Sequence, residues 1–204
     1  MKTIWFYLKQ SLISFVYLIF MAMTAMGIIM IGDNLLALKI ILCILNVGLY
    51  GFIVAATSFK DGQSALKVRI ANDLERVQIV KTGEDRPLNL KEEYKAYKGF
   101  VFGLISCIPC VVLLIVHTIL VFCVSPEYTG AGAIAGFIYM MFFAFVRLVS
   151  TAGEPSVYLF YFNLVCLAVV PVLTGVPYIL GARKIELQQK KIKERQRQIY
   201  GDIN

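Results

Sequence analysis

This chain has one histidine, His117, and one tryptophan, Trp5, in 204 residues. A lone imidazole excludes the multi-histidine sites that hold catalytic or structural zinc. Charge is scarce as well, at 16% Asp, Glu, Lys and Arg against about 25% in an average soluble domain. No phosphate-cradling glycine loop, nucleophile elbow or Ser–Lys pair within a span appears. The pair Glu92-Glu93 sits in a polar linker and lacks the arginine that follows such a pair in intramembrane metalloproteases. No catalytic residue, metal site or cofactor is therefore assigned, and the chain is expected not to be an enzyme.

Cysteine is too odd in number for a disulfide framework. Cys43, Cys107, Cys110, Cys123 and Cys166 all fall in apolar stretches, where the residue behaves as a small hydrophobe. Cys107-Ile108-Pro109-Cys110 has the spacing of a thiol redox pair. Burial in an apolar setting raises a thiol pKa and makes it inert, so Pro109 reads as a kink in a packed helix.

Apolar length is abundant. Hydrophobic residues make up 59% of the chain and mean hydropathy is +0.74. Stretches 11–31, 37–59, 100–124 and 156–180 each reach the roughly 20 residues that cross a bilayer as a helix. A fifth apolar stretch covers 131–150. The first run is longer than a signal-peptide core and has no small-x-small cleavage site after it, so an uncleaved first span is expected.

Lys and Arg near span ends favour the cytoplasmic side. With four spans and the N-terminus, linker and tail inside, 18 of the 20 basic residues are cytoplasmic. A fifth crossing at 131–150 exports the basic tail and leaves a 12-to-8 split. The sequence therefore predicts an all-α polytopic membrane helix bundle in the plasma membrane, with both termini cytoplasmic. Four helices span, and 131–150 enters and leaves on the outer side as a re-entrant or interfacial helix. The alternative is a fifth span. The expected divisions are an N-terminal hairpin (1–59), a cytosolic amphipathic linker (60–98), a second membrane unit (99–182) and a basic cytosolic tail (183–204).

Local patterns refine this outline. Met21, Met23, Met26 and Met30 suit irregular packing gaps. Gly32-Asp33-Asn34 predicts a tight external turn. Gly48, Gly51 and Ala55, then Gly99 and Gly103, then Gly132 and Gly136, offer small-residue faces for close helix packing. In the linker, Leu66, Ile70, Leu74 and Val77 form one apolar stripe at helical spacing. Thr82-Gly83 and Pro87 end that helix, and Asn89 with Glu92 predicts a capping box that starts another. The stripe is the candidate partner-binding surface, for a membrane-protein partner or a second copy of the chain.

With a linker net charge of only +2, no nucleic-acid partner is expected. In the tail, Ile185, Ile192 and Ile199 recur every seven residues, but the d positions are Gln or Arg. A solvated helix attracted to anionic headgroups follows.

Depth supplies a second candidate site. His117 and Asn163 are both expected about 10 Å below the outer surface, with Arg147 and Glu154 on the same side. Polar groups at membrane depth face an interior, and they either pin helices together or bind a ligand. The sequence thus supports two functions. The first is a non-enzymatic accessory or partner-binding subunit acting through linker and tail. The second is a small transporter or channel-like protein with an outward polar cavity.

The charge split has a direct test. Single cysteines at Gln78 and Gln196, in a background without native cysteines, should both resist an impermeant thiol reagent in intact cells. Labelling at Gln196 alone would restore the fifth span.

Overall fold

Backbone amides removed from water must find partners within their own segment, which makes the helix the natural form of an apolar run. The computed structural model describes residues 2–31, 35–83, 87–124 and 163–200. Helix α1 covers Lys2–Ile29 and α2 covers Leu36–Thr82. Helix α3 covers Lys98–Ile119 and passes into a π-helical turn, Leu120–Val124, while α4 covers Asn163–Tyr200. No strand occurs among the described residues, and four helices are long and apolar enough to cross a membrane. The Gly32-Asp33-Asn34 turn and the 131–150 stretch lie outside the described residues.

Side-chain pairings fix the directions. Gln10 meets Asp61 and Asn46 meets Met21, so α1 and α2 are antiparallel. Tyr7 packs on Phe102, whereas Leu18 and Ala25 share a core with Cys107 and Leu114, so α1 and α3 run together. Gly103 faces Pro171 and Gly99 faces Tyr178, which makes α4 antiparallel to α3. The start of α1, the start of α3 and the second half of α4 therefore share one end of the bundle. Val124 and Asn163, the described ends flanking residues 125–162, both lie toward the other end.

Helix α2 joins two segments that the sequence reads separately. The second span and the linker helix are one uninterrupted helix of 47 residues, about 70 Å long at 1.5 Å per residue. Between Phe59 and Thr82 the sequence offers only Gly62 as a weak point, and one glycine does not stop a helix. The end does fall where Thr82-Gly83 puts it. Gly83 is left-handed at φ 69° and its N–H donates to the Ile79 carbonyl at 2.8 Å, as a glycine C-cap does. The helix expected after Asn89 is absent: residues 90–97 run through turns and bends until α3 begins at Lys98. The Asn89 side chain does bond Glu92 at 3.0 Å. Its main-chain N–H, however, is taken by Asn72 of α2 at 3.1 Å, and this tertiary bond displaces the capping box.

All four helices feed one apolar core. Leu18, Met21 and Ala25 meet Tyr50 and Val54, then Cys107, Cys110 and Leu114, then Val170. Met21 is the one packed member of the methionine series, while Met23, Met26 and Met30 are exposed. The reason is geometric: α1 buries a single stripe through Leu18, Met21, Ala22 and Ala25. The opposite faces expose apolar residues such as Phe20, Ile44, Phe52, Ile108, Ile115 and Phe122, far more than a soluble monomer leaves bare.

Close packing of α4 falls on glycines. A methyl on Gly62 would overlap the Tyr178 carbonyl oxygen, and one on Gly181 would overlap the Phe59 carbonyl oxygen. Gly99 and Gly103 accept α4 as the sequence expects. Gly48 faces open space and Gly51 touches only Leu173, at 3.8 Å, so the notch in α2 lies farther along, at Gly62. Gly62→Ala and Gly181→Ala should each lower the thermal unfolding temperature in detergent and loosen α4. Gly48→Ala should leave it unchanged or raise it, since Ala is favoured over Gly in an open helix by about 1 kcal/mol. Equal tolerance at all three positions would refute the notch.

Candidate functional site

The end where α1 and α3 begin gathers the described polar groups that sequence reasoning had left unconnected. The segment 87–97 folds back along α2 as a strap. Asn72 of α2 donates Nδ2 to the Asn89 carbonyl at 3.1 Å and accepts the Asn89 N–H, so one amide satisfies both main-chain groups. Arg76 then pairs with Glu93 at 3.1 Å and with Asp73 at 2.7 Å. The Tyr94 N–H donates to the Ala65 carbonyl at 3.1 Å. Its ring stacks on Tyr178, with centroids 5.5 Å apart and planes 16° apart. Burial pushes the Tyr94 phenol up; nearby Glu186 adds to the effect and Arg69 opposes it.

Lys98 closes the strap. Its side chain is 3% exposed, and Nζ donates to the Lys91 and Glu93 carbonyls at 2.6 Å each. A buried ammonium requires such partners, because desolvating a charge without them is very costly.

Beneath the strap lies a cavity of about 180 Å³. Charged groups reach it from three elements: Asp61 of α2, Glu92 of the strap and Lys98 of α3. Phe6, Phe102 and Tyr178 give it aromatic walls. Gln10 of α1 donates its amide to the Asp61 carboxylate across the gap between α1 and α2. Sequence reasoning passed over Asp61 and Gln10. The available signal was a lone acid two residues past an apolar span, followed at once by a glycine.

The sequence-derived sites distribute as follows. His117 is completely buried in the last turns of α3. Its face also carries Cys107, Cys110 and Leu114, all buried. Asn163 is the first residue of α4, and Arg147 and Glu154 lie outside the described residues. In the linker stripe, Leu66 is buried against Ala182 and Ile185, with Ile70 packed beside them. Leu74 is 64% exposed and Val77 53% exposed, so the stripe divides into a docked half and an open half. A further polar contact, unanticipated from sequence, joins α1 to α2: Thr24 donates to the Asn46 side chain at 2.7 Å, and Asn46 donates to the Met21 carbonyl at 3.0 Å. No group of three potential metal ligands occurs among the described residues.

Removing the clamp should free the strap. Asn72→Ala is expected to raise amide exchange across 87–97 and to cost about 1–3 kcal/mol, the penalty for stranding hydrogen-bonded groups. Leu90→Ala, on an exposed strap residue, should leave exchange near the wild-type rate. Unchanged exchange in Asn72→Ala would show that the clamp does not hold the strap. No family model matches this chain, and no curated protein or solved structure matches it either.

Proposed function

We propose that this chain is a multi-pass plasma-membrane protein with both termini cytoplasmic. In this reading it is a non-enzymatic accessory or partner-binding subunit that acts through its cytosolic surfaces. The observation that carries the reading is the pair of helical arms. Beyond Phe59, α2 continues to Thr82, about 35 Å past its apolar part. Beyond Leu180, α4 continues to Tyr200, about 30 Å. The arms touch near Leu66, Ala182 and Ile185. Past that contact they expose apolar residues in otherwise polar helices: Leu74, Val77 and Val80 on α2, and Leu187, Ile192 and Ile199 on α4.

An arm that carries bare aliphatic residues past its contacts with α4 has the form of a helix-in-groove ligand. The partner is a membrane protein or a second copy. The seven Lys and Arg of the tail also favour anionic headgroups, at about 1 kcal/mol per residue near the surface. Four spans with an outer re-entrant or interfacial segment are supported by the charge split and by the placement of Val124 and Asn163 toward one end.

One observation favours a second reading, a small transporter or channel-like protein with an outward polar cavity. His117 is fully buried in the outer part of α3, and a π-helical turn follows it, a feature frequent at functional sites. In that reading His117, Asn163, Arg147 and Glu154 contribute to a ligand site.

The stripe separates structure from function. Ile70→Ser should lower thermal stability by about 1–3 kcal/mol, as burying a hydroxyl in place of an aliphatic side chain does. Leu74→Ser should leave stability within about 0.5 kcal/mol yet reduce partner retention in a mild-detergent pull-down read by intact-complex mass. Full retention in Leu74→Ser would remove the partner role from the open half of the stripe. Ligand-dependent stabilisation that disappears in His117→Leu would favour the second reading.

A further inference from the structure

We propose that the cavity beneath the strap binds a quaternary ammonium group of about trimethylammonium size. Its volume of about 180 Å³ is close to that of a cavity of about 150 Å³ that holds benzene, so a group the size of trimethylammonium fits within it. The charge of the lining is the first argument. Asp61 and Glu92 supply two carboxylates against one cation, Lys98, and the Lys98 ammonium is already turned toward the Lys91 and Glu93 carbonyls. Gln10 occupies one acceptor position on Asp61, and a carboxylate offers about four. Negative charge therefore faces the cavity, and a trimethylammonium group, which has no N–H to donate, meets it through charge rather than hydrogen bonds.

The walls are the second argument. Phe6, Phe102 and Tyr178 line the same space, and Phe6 and Tyr178 both pack edge-on against Phe102. Aromatic rings beside a carboxylate are the arrangement that recognises quaternary ammonium, through cation–π attraction that strengthens with desolvation. The same end of the bundle already carries one such contact, with Lys184 Nζ 5.6 Å from the centre of the Phe59 ring.

The ammonium has two possible sources. In the proposed topology the cavity lies where apolar α2 gives way to its cytosolic arm, the level of phospholipid headgroups. A lipid headgroup and a free choline-type cation present the same trimethylammonium chemistry there.

The test uses the full chain in detergent, stripped of lipid, titrated calorimetrically with choline chloride. Saturable binding is expected, with none for 3,3-dimethylbutan-1-ol, the neutral isostere. Asp61→Asn, whose side-chain oxygen still accepts from Gln10, should weaken choline binding by about tenfold or more. Phe6→Leu, at a partly buried wall, should also weaken it and decides the question if Asp61→Asn does not fold. Glu194→Gln on the exposed tail should bind as wild type.

In phosphatidylcholine nanodiscs, loss of free-choline binding relative to phosphatidylglycerol nanodiscs identifies the lipid source. Equal binding in both identifies the free cation. No saturable choline binding, equal binding of the isostere, or folded Asp61→Asn and Phe6→Leu proteins with wild-type affinity would each overturn the proposal.

Discussion

Two backbone-to-backbone approaches between α2 and α4 organise this molecule: Gly62 against the Tyr178 carbonyl and Gly181 against the Phe59 carbonyl. Helices that meet without intervening side chains gain dispersion contacts over their main chains, the usual basis of helix association where no hydrophobic driving force operates. Because each glycine answers a carbonyl on the other helix, the crossing is fixed in rotation as well as in distance. Much of the nearby structure follows from it. Tyr178 is held with its ring between Gly99, Phe102 and Tyr94, and that ring both stacks on the strap and walls the cavity.

The fold was largely legible because its dominant signal is length. Runs of about 20 apolar residues have few structural solutions, and four apolar helices follow with little help from tertiary detail. Gly83 was equally readable, since its left-handed conformation is a local requirement. Two features were not. The continuity of α2 depends on the absence of a breaker between Phe59 and Thr82, and a change from apolar to charged composition looks like a boundary without being one. The strap depends on Asn72 reaching Asn89, a pairing across 17 residues that no local pattern encodes. The cavity was hidden for the same reason: Gln10, Asp61, Glu92 and Lys98 are isolated polar residues in the sequence and become neighbours only when α1, α2, the strap and α3 meet.

The buried polar groups have a common style. Thr24 and Asn46 bond each other and share the Met21 carbonyl, Thr174 returns its hydroxyl to the Val170 and Pro171 carbonyls, and Ser106 returns its own to Gly103. Each uses a main-chain acceptor, so a polar side chain can sit in apolar surroundings without needing a dedicated partner. Such bonds contribute little individually, about 0.6 kcal/mol on average in membrane helices. Their value is in register: the Asn46 pair admits one axial alignment of α1 on α2, where a purely aliphatic seam would admit several. The glycine crossing does the same for α4, and the strap for α3.

The unbroken course of α2 makes it a lever. In the proposed membrane orientation, a span tilting to match a change in bilayer thickness would carry its continuous helix with it, and α2 reaches about 35 Å beyond its apolar part. A tilt of about 10° would therefore sweep the Thr82 tip sideways by about 6 Å, by simple trigonometry on that length. Had a loop joined span and arm, the same tilt would dissipate in the loop. The glycine crossing near Gly62 ties α4 to this lever, so in the proposed membrane orientation a tilt of the bundle would carry both arms with it.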